Sequence, residues 1–155
     1  MNQHKIHSDI ITLQSAIKDQ ELVVLTNGCF DLLHIGHVDY LMKARAEGSC
    51  LIVGINTDES VSKLKGANRP INVLKDRIGM LSALECVDHI IAFKEDTPYQ
   101  LISELQPDIL IKASDYKVED IVGYDIVTAK GGRVKTIDIL HHISSTQLIS
   151  KIKAI

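Results

Sequence analysis

Short apolar runs recur along the chain, and longer stretches with helical spacing separate them. Five runs are rich in β-branched and other apolar residues: 22–26, 50–55, 89–93, 109–112 and 133–137. Their apolar residues are continuous rather than alternating, as expected for strands that are buried on both faces of a parallel sheet. The pattern predicts about five parallel strands.

The stretches between these runs place apolar residues three and four positions apart, which is typical of helices that bury one face. Helices are predicted over 38–45, after the first run, and over 73–84, before the third. Pro98 is suited to open a further helix and Pro107 to end it. Ser145 is predicted to cap the last helix.

A further amphipathic helix is predicted ahead of the first strand, with an apolar face formed by Ile6, Ile10, Leu13 and Ile17. Alternating strands and helices indicate an α/β fold, a Rossmann-like three-layer sandwich with the sheet in the middle. The length fits one domain, residues 1–155, in which residues 1–20 form an N-terminal helical extension. Ligands of such folds bind outside the carboxyl ends of the strands.

Composition and charge narrow the function classes. A net charge of −3 argues against nucleic-acid binding as the main function. The three cysteines are an odd number without CxxC spacing, so neither a disulfide framework nor a structural zinc site is expected. No apolar run approaches the roughly 18 residues of a membrane span, and the polar N-terminus lacks a signal-peptide core. We therefore expect a cytoplasmic protein with no membrane or nucleic-acid partner.

The segment from Thr26 to His37 follows the first predicted strand and carries the most specific chemistry. Gly28 permits close approach of a ligand to the backbone, and the N–H groups of the turn and of the next helix offer an anion site. His34 and His37 lie three positions apart, so on a helix both imidazoles could face one triphosphate. A histidine pair could also bind a metal, but no carboxylate or third histidine follows at ligand spacing.

The start of the last predicted helix carries a second group of anion-binding residues, Ile143-Ser144-Ser145-Thr146. Hydroxyl groups and free N–H groups at a helix start form a phosphate cradle, which is compatible with an ordinary helix cap. His-x-Gly-His after the first strand and Ile-Ser-Ser-Thr at the last helix are similar to the two signatures of the cytidylyltransferase-like nucleotidyltransferases. The resemblance implies transfer of a nucleoside monophosphate with release of pyrophosphate.

Further blocks resemble one branch of that superfamily, the heptose 1-phosphate adenylyltransferases. The blocks follow one another at 26–31, 64–70, 83–88, 95–98 and 112–116, and the resemblance extends over 22–152. It implies that ATP and D-glycero-β-D-manno-heptose 1-phosphate give ADP-heptose and pyrophosphate, in the synthesis of lipopolysaccharide precursors. In this family the activity usually accompanies a sugar kinase, and without a kinase domain we expect a stand-alone transferase.

Three alternatives stay open. A cytidylyltransferase for glycerol 3-phosphate or another alcohol phosphate shares both signatures. A guanylyltransferase for a heptose phosphate is chemically close. A nucleotide-binding regulator without catalysis would be expected to lose a histidine or the Ser-Thr cradle, and this chain retains both.

The resemblance and the positions of polar residues assign candidate roles. The catalytic candidates are His34, His37, Lys65 and Arg77. The nucleotide-binding candidates are Asn27, Gly28, Cys29, Phe30, Asp31, Gly36, Lys112, Ser144, Ser145 and Thr146. The substrate-binding candidates are Asp31, Arg45, Asp58, Lys65, Arg69, Asp115 and Tyr116.

Several of these roles have specific physical forms. Lys65 and Arg69 lie in a predicted loop that could close over the ligands, and Arg77 could donate a bidentate pair of bonds to a phosphate. The alternative for Arg77 is an ordinary surface ion pair with Asp76 or Glu85. Asp31 and Asp58 are expected to orient basic groups, or water around Mg²⁺.

The cofactor and partner predictions follow from the same chemistry. We expect Mg²⁺ to be bound mainly through the phosphates of ATP, with no metal site built from protein side chains. The expected partners are ATP and a sugar phosphate, and a homodimer is possible because relatives are often dimers.

The chain departs from the heptose-type pattern at two places. Ala113 and Ser114 stand where the family prefers glycine, so the contact with the nucleotide or sugar is expected to differ there. His141 and His142 precede the Ile-Ser-Ser-Thr run where relatives often have an acidic or basic residue and glycine. These imidazoles could help to hold anions or could be solvated loop residues.

Overall fold

The sheet sits at the centre of the fold. The computed structural model describes residues 2–114, 117–138 and 143–155. Within these ranges, six parallel strands pair in the order β1-β4-β3-β2-β5-β6. They are β1 (Ile6–His7), β2 (Val23–Gly28), β3 (Cys50–Asn56), β4 (His89–Phe93), β5 (Ile109–Ala113) and β6 (Arg133–Ile137). The five predicted strands and the α/β class are confirmed, and β1 is an additional strand.

Helices connect the strands on both faces of the sheet. They are α1 (Ile10–Ile17), α2 (Ile35–Arg45), α3 (Asp58–Lys65), α4 (Leu74–Ser82), α5 (Tyr99–Leu105), α6 (Tyr124–Ala129) and α7 (Ser145–Lys153). Two short 3₁₀ helices cover Gln3–Lys5 and Val118–Asp120. Over the residues that the structure describes, no helix is long and apolar enough to cross a membrane.

The N-terminal segment differs from its prediction, because the helix begins at Ile10 rather than near Ile6. Asp9 is the N-cap of α1: its backbone is extended, and its side chain accepts a hydrogen bond from the Thr12 N–H at 2.8 Å. Residues before the cap are free to pair with the sheet edge, where Ile6 aligns with Ile90 of β4. Ile6 precedes Ile10 by four positions, so the spacing of apolar residues by itself assigns Ile6 to the helix.

Capping also corrects two other predictions. Lys65 was expected in a loop, but it is the last residue of α3, which Thr57 caps at its start and Gly66 ends with φ 97°. Ser144, not Ser145, caps α7: its hydroxyl accepts from the Gln147 N–H, and the Gln147 side chain accepts from the Ser144 N–H. Ser145 is thereby the first residue inside the helix.

The strand side chains alternate between two apolar cores, one on each face of the sheet. In β2, Leu25 packs with α1, α5 and α6, whereas Val24 packs with α2 and α4. In β3, Ile52 and Val53 divide in the same way, and all four side chains are fully buried. Both faces are covered, so the predicted three-layer sandwich is confirmed.

The topology places a crevice at the carboxyl end of β2. The chain runs from β2 to β3 and β4 on one side of the sheet, and then returns to β5 on the other side of β2. The connections therefore diverge between β2 and β5, where ligands of open α/β sheets bind. Tyr40 of α2 closes the floor there: its hydroxyl donates to the Ile111 carbonyl at 3.1 Å and lies 2.7 Å from the Thr26 hydroxyl.

We predict that Tyr40→Phe lowers the free energy of unfolding by about 1–3 kcal/mol, because it leaves buried polar groups of β2 and β5 without this partner. Urea denaturation measures the change. Tyr99→Phe is the matched control, since the Tyr99 hydroxyl bonds Asp125 at an exposed position and its loss is expected to cost less than about 0.5 kcal/mol. Equal effects of the two substitutions would contradict a stabilising role of the hydrogen bonds of Tyr40.

Candidate active site

A cavity of about 620 Å³ opens at the carboxyl edge of β2, β3 and β5. Its volume falls in the range of small-molecule sites. The turn after β2, the ends of β3 and β5, and the segments that begin α5, α6 and α7 surround it. Its lining residues are Asn27, Gly28, Cys29, Phe30, Asp31, His37, Tyr40, Asn56, Leu64, Lys65, Asp96, Thr97, Pro98, Lys112, Ala113, Asp120, Ile121, Val122 and Ser145.

The turn between β2 and α2 has a constrained backbone. Phe30 adopts φ 46°, a left-handed conformation that is uncommon for a bulky residue. Its ring is buried and lies 5.2 Å from the ring of His37, centroid to centroid. A Cβ on Gly28 would approach the Phe30 ring at 3.1 Å, so glycine keeps this turn tight. Backbone strain of this kind is typical of functional sites.

His34 and His37 form a stacked pair at the start of α2. Their ring centroids are 3.8 Å apart and the ring planes meet at 21°. His34 is the N-cap residue, but its side chain makes no capping bond, and the His37 N–H donates to the His34 carbonyl at 2.9 Å. In both rings Nδ1 is buried and has no partner among the residues that the structure describes. Buried polar atoms without a protein partner are available to a ligand or to an ordered water.

The environment keeps both imidazoles neutral near neutral pH. Burial, together with smaller effects of the nearby His34 and Lys65, lowers the pKa of His37 to about 4. Burial also lowers the pKa of His34. A neutral imidazole offers one N–H donor, so the pair can donate hydrogen bonds to an anion without carrying charge in the free protein.

Asp31 anchors the loop that precedes α4. Its carboxylate accepts from Arg69 Nε and from the N–H groups of Ile71 and Asn72, the latter two at 2.7 and 3.0 Å. Burial by itself would raise the pKa of Asp31, but the bonds from Asn72, Arg69 and Ile71 outweigh it and hold that pKa below its ordinary value. Asp31 thus orients a basic group, one of the two forms expected for it, and Arg69 Nη2 stays buried without a partner among the described residues.

Arg77 is fully buried and does not line the cavity. Its guanidinium donates to the Cys29 carbonyl at 2.7 Å, the Asn72 carbonyl at 3.0 Å and the Asp58 carboxylate at 2.7 Å. Its ion pair with Asp58 is made by a fully buried guanidinium and is not the surface ion pair considered from the sequence. The geometry gives Arg77 a positioning role, because it fastens the turn after β2 from behind.

Other predicted residues do converge on the cavity. Lys65, the last residue of α3, is exposed and forms no ion pair within the described ranges. Lys112, at the end of β5, donates to the Asn27 carbonyl at 3.3 Å. Ser145 reaches across from α7 and donates to the Leu32 carbonyl at 3.2 Å. Together with the histidines, these residues bring hydrogen-bond donors from α2, α3, β5 and α7 to the region of the cavity.

Arg45 lies far from this convergence, which corrects its predicted role in substrate binding. Its guanidinium pairs with Asp88 at 2.6 Å and donates to the Gly48 carbonyl. Asp88 also accepts from the Leu51 N–H at the start of β3. This cluster is therefore at the amino edge of the sheet, opposite the cavity. Arg45 lies at the carboxyl end of α2, whereas the two histidines lie at its amino end.

The remaining predicted residues divide into three groups. Gly36 is buried in the first turn of α2, beneath the histidines. Ser144 and Thr146 are exposed and do not line the cavity. Asp115, Tyr116, His141 and His142 lie outside the described residues. Of the two residues that replace family glycines, Ala113 lines the cavity, and the Ser114 N–H donates to the Ile137 carbonyl.

The cavity also includes residues that sequence reasoning did not assign. Asn56 is 4% exposed and ends β3, and Asp96 and Asp120 precede α5 and α6. The signal that could have found Asn56 is its place directly after an apolar run, since strand ends meet at the ligand-binding edge. In the part of the chain that the structure describes, no three His, Cys, Asp or Glu side chains are placed to hold a metal ion.

A parallel sheet with an anion-binding turn and a histidine pair at its topological switch point defines the nucleotidyltransferase class of enzymes. The chain belongs to the cytidylyltransferase-like family, whose model matches residues 25–151. The resemblance drawn from the two signature motifs is confirmed.

Individual relatives agree with this assignment. The chain is 47% identical over 144 residues to the bifunctional protein HldE of Ectopseudomonas mendocina, covering 93% of this chain and 30% of that protein. It is 52% identical over 130 residues to HldE of Citrifermentans bemidjiense, covering 84% of this chain and 27% of that protein. The chain therefore spans about 30% of the length of the curated relatives that it matches.

Solved structures give the same picture of the fold. A lipopolysaccharide core biosynthesis protein from Thermoplasma volcanium aligns with a TM-score of 0.62 and 28% identity, covering 79% of this chain and 98% of that one. Pantothenate synthetase from Thermus thermophilus aligns with a TM-score of 0.67 and 15% identity, covering 97% of this chain and 70% of that one. At 15% identity the second alignment concerns the fold alone.

We predict that acid destabilises the protein through His37. The pKa of this residue is about 4 in the folded chain and 6.5 in the unfolded chain, so between these values the unfolded chain binds the proton more tightly. Stability should be lost as the pH falls below 6.5 and should not depend on this group above pH 7. Relative to His37→Gln, the wild type should lose roughly 1–2 kcal/mol between pH 7 and pH 5 in urea denaturation. Parallel pH curves for the two proteins would contradict this assignment.

Proposed function

We propose that this chain transfers AMP from ATP to D-glycero-β-D-manno-heptose 1-phosphate, giving ADP-heptose and pyrophosphate. The observation that carries the proposal is the stacked His34–His37 pair, whose buried Nδ1 atoms lack partners beside a cavity of about 620 Å³. Identity of 47% to one HldE protein and 52% to another supports the choice of acceptor.

The proposed reaction is an in-line displacement at the α-phosphorus of ATP. An oxygen of the sugar 1-phosphate attacks, a new P–O bond forms, and the bond to the β-phosphate oxygen breaks. The electron pair of the broken bond leaves with pyrophosphate. Nucleophile and leaving group are already anionic, so no general base is needed, and catalysis consists of positioning and stabilisation of charge.

The residues of the cavity fit these tasks. The neutral imidazoles of His34 and His37 donate hydrogen bonds to phosphate oxygens as negative charge accumulates on those oxygens. The N–H groups at the start of α2 face the same region. Lys65 and Lys112 place positive charge at two sides of the cavity, and Ser145 adds a hydroxyl at the start of α7.

Mg²⁺ enters the proposal as part of the substrate, MgATP. The carboxylate of Asp31 is occupied by Arg69 and two N–H groups, so it is not available as a ligand. Phosphate oxygens suit Mg²⁺, which keeps several waters and rarely needs a cage of protein ligands.

The rival proposal is a cytidylyltransferase that acts on glycerol 3-phosphate or a similar alcohol phosphate. The description of the matching family, cytidylyltransferase-like, favours it. A guanylyltransferase for heptose phosphate would keep the sugar and change only the base. Both rivals use the same chemistry at the same histidines.

A pyrophosphate-release assay decides between these substrates. ATP, CTP and GTP are each tested with heptose 1-phosphate and with glycerol 3-phosphate. We expect the highest kcat/KM for ATP with heptose 1-phosphate. A preference for CTP with glycerol 3-phosphate would reject the proposal in favour of its rival, and a preference for GTP with the heptose would reject only the base.

In the same assay, His34→Ala and His37→Ala should each lower kcat by roughly 10²–10³-fold, the scale for removing one donor to a transition state. Circular dichroism should show that both variants fold. His4→Ala is the matched control, because His4 is exposed in an N-terminal 3₁₀ helix and does not line the cavity. Near-normal turnover of both active-site variants would defeat the proposed role of the pair.

Activity should require a divalent cation, whereas the purified protein should hold no stoichiometric metal. The reason is that ATP brings the ion and the described residues offer no metal cage. Elemental analysis of the protein and an assay with a chelator check both parts. Tightly bound zinc at one per chain would contradict the prediction.

A further inference from the structure

We propose that Asn56, Asp96 and Asp120 form the acceptor-binding wall of the cavity and bind the hydroxyl groups of a polyhydroxylated substrate. The proposal rests on the proposed transferase function and assigns the choice of acceptor to three side chains. These residues select a sugar phosphate over a phosphate ester of the same size without hydroxyls.

The cavity has two chemically different sides. α2, which carries the histidines, packs on one face of the sheet, and α5 packs on the other. The α2 side supplies N–H donors from the imidazoles and the helix start. The side toward α5 and α6 presents the carboxylates of Asp96 and Asp120, and Asn56 lies at the end of β3. The imidazole donors and the two carboxylates therefore belong to different sides of the cavity.

The hydrogen bonds of Ser60 fix the orientation of Asn56. The Ser60 hydroxyl donates its single proton to the Glu95 carbonyl at 3.2 Å, so its oxygen must accept from the Asn56 amide at 2.9 Å. This places Nδ2 of Asn56 toward Ser60 and leaves Oδ1 with only the Cys29 thiol, at 3.8 Å. A thiol is a weak donor, so a buried carbonyl oxygen is left to accept a better hydrogen bond from a ligand.

A second buried acceptor points to the same kind of ligand. Asn27 also lines the cavity, and its Oδ1 is buried without a partner among the described residues. A phosphate ligand offers acceptors and cannot satisfy such an atom, whereas a hydroxyl group can.

The two carboxylates add negative charge to the α5 and α6 side of the cavity, where Lys112 also lies. Asp96 and Asp120 are exposed, and the charge of Asp96 acts on Lys63 of α3. Like charges repel, so these aspartates favour contact with the uncharged end of an acceptor over contact with its phosphate. Hydroxyl groups donate to carboxylates in strong, charge-assisted bonds. The wall thus orients the acceptor as well as selecting it.

The test compares Asp96→Ala and Asp120→Ala with the wild type, using two acceptor-site probes. The probes are heptose 1-phosphate as substrate and cyclohexyl phosphate, which has a similar ring but no hydroxyls, as competitive inhibitor. In each variant we expect the KM for heptose 1-phosphate to rise roughly 10-fold or more, the scale for losing a hydrogen bond to a charged group. The inhibition constant of cyclohexyl phosphate and the KM for ATP should change less than about 2-fold, since neither ligand uses that bond.

Glu119→Ala is the matched control, because it removes a neighbouring exposed carboxylate that does not line the cavity. It should leave all three constants unchanged. An unchanged KM for heptose 1-phosphate in both variants, or an equal loss for both probes, would overturn the inference. A wild type that turns over no sugar phosphate contradicts the proposed function instead. Calorimetric titration of heptose 1-phosphate into the wild type and Asp96→Ala, each with bound ATP, then decides the inference by whether the affinities differ.

Discussion

The guanidinium of Arg77 has no access to solvent, so its place in the fold depends on the acceptors that the chain gathers around it. Those acceptors come from three segments: the turn after β2, the loop before α4 and the first residue of α3. The turn after β2 lines the cavity, and the far end of α3 contributes Leu64 and Lys65 to the same lining. The left-handed Phe30 lies next to Cys29, whose carbonyl Arg77 holds. Asp31 fastens the same turn to the loop at Asn72 from the other side. A strained backbone conformation persists only where the surrounding contacts hold it in place. Here Arg77 and Asp31 hold the turn.

These contacts hold the neutral histidines in the arrangement that the proposed anion chemistry requires. The rings of His34 and His37 stack against each other, and Phe30 packs beside His37. Burial lowers the pKa of both imidazoles, and His34 and Lys65 add to this at His37, so no counter-ion has to be displaced before a triphosphate binds. The carboxylates on the other side of the cavity are compatible with this arrangement because only the uncharged part of an acceptor would face them. Separation of the imidazole donors from the carboxylates within one cavity is the feature that links the fold to the proposed reaction.

Much of the fold could be predicted from the sequence because burial on both faces leaves continuous apolar runs, and β4 and β6 match their predicted bounds. β1 could not be predicted, since two residues carry no period and pair only because the edge of β4 is present. The histidine pair could be predicted because His34 and His37 are only three positions apart in the sequence. Arg45 and Arg77 were not, because their partners are distant in sequence: Asp58 lies 19 positions from Arg77. A lone basic residue does not reveal whether the fold supplies a carboxylate or leaves the charge for a ligand.

The central claim is that the phosphates of ATP bind between the start of α2 and the strand ends at the switch point. A crystal structure of this chain with a non-hydrolysable ATP analogue tests it most directly. The account predicts oxygens of the α- or β-phosphate within about 3.2 Å of an imidazole nitrogen of both His34 and His37, with the α5 side of the cavity left free for the acceptor. Phosphates bound elsewhere on the chain, or bound there with both imidazoles out of hydrogen-bond reach, would contradict the account.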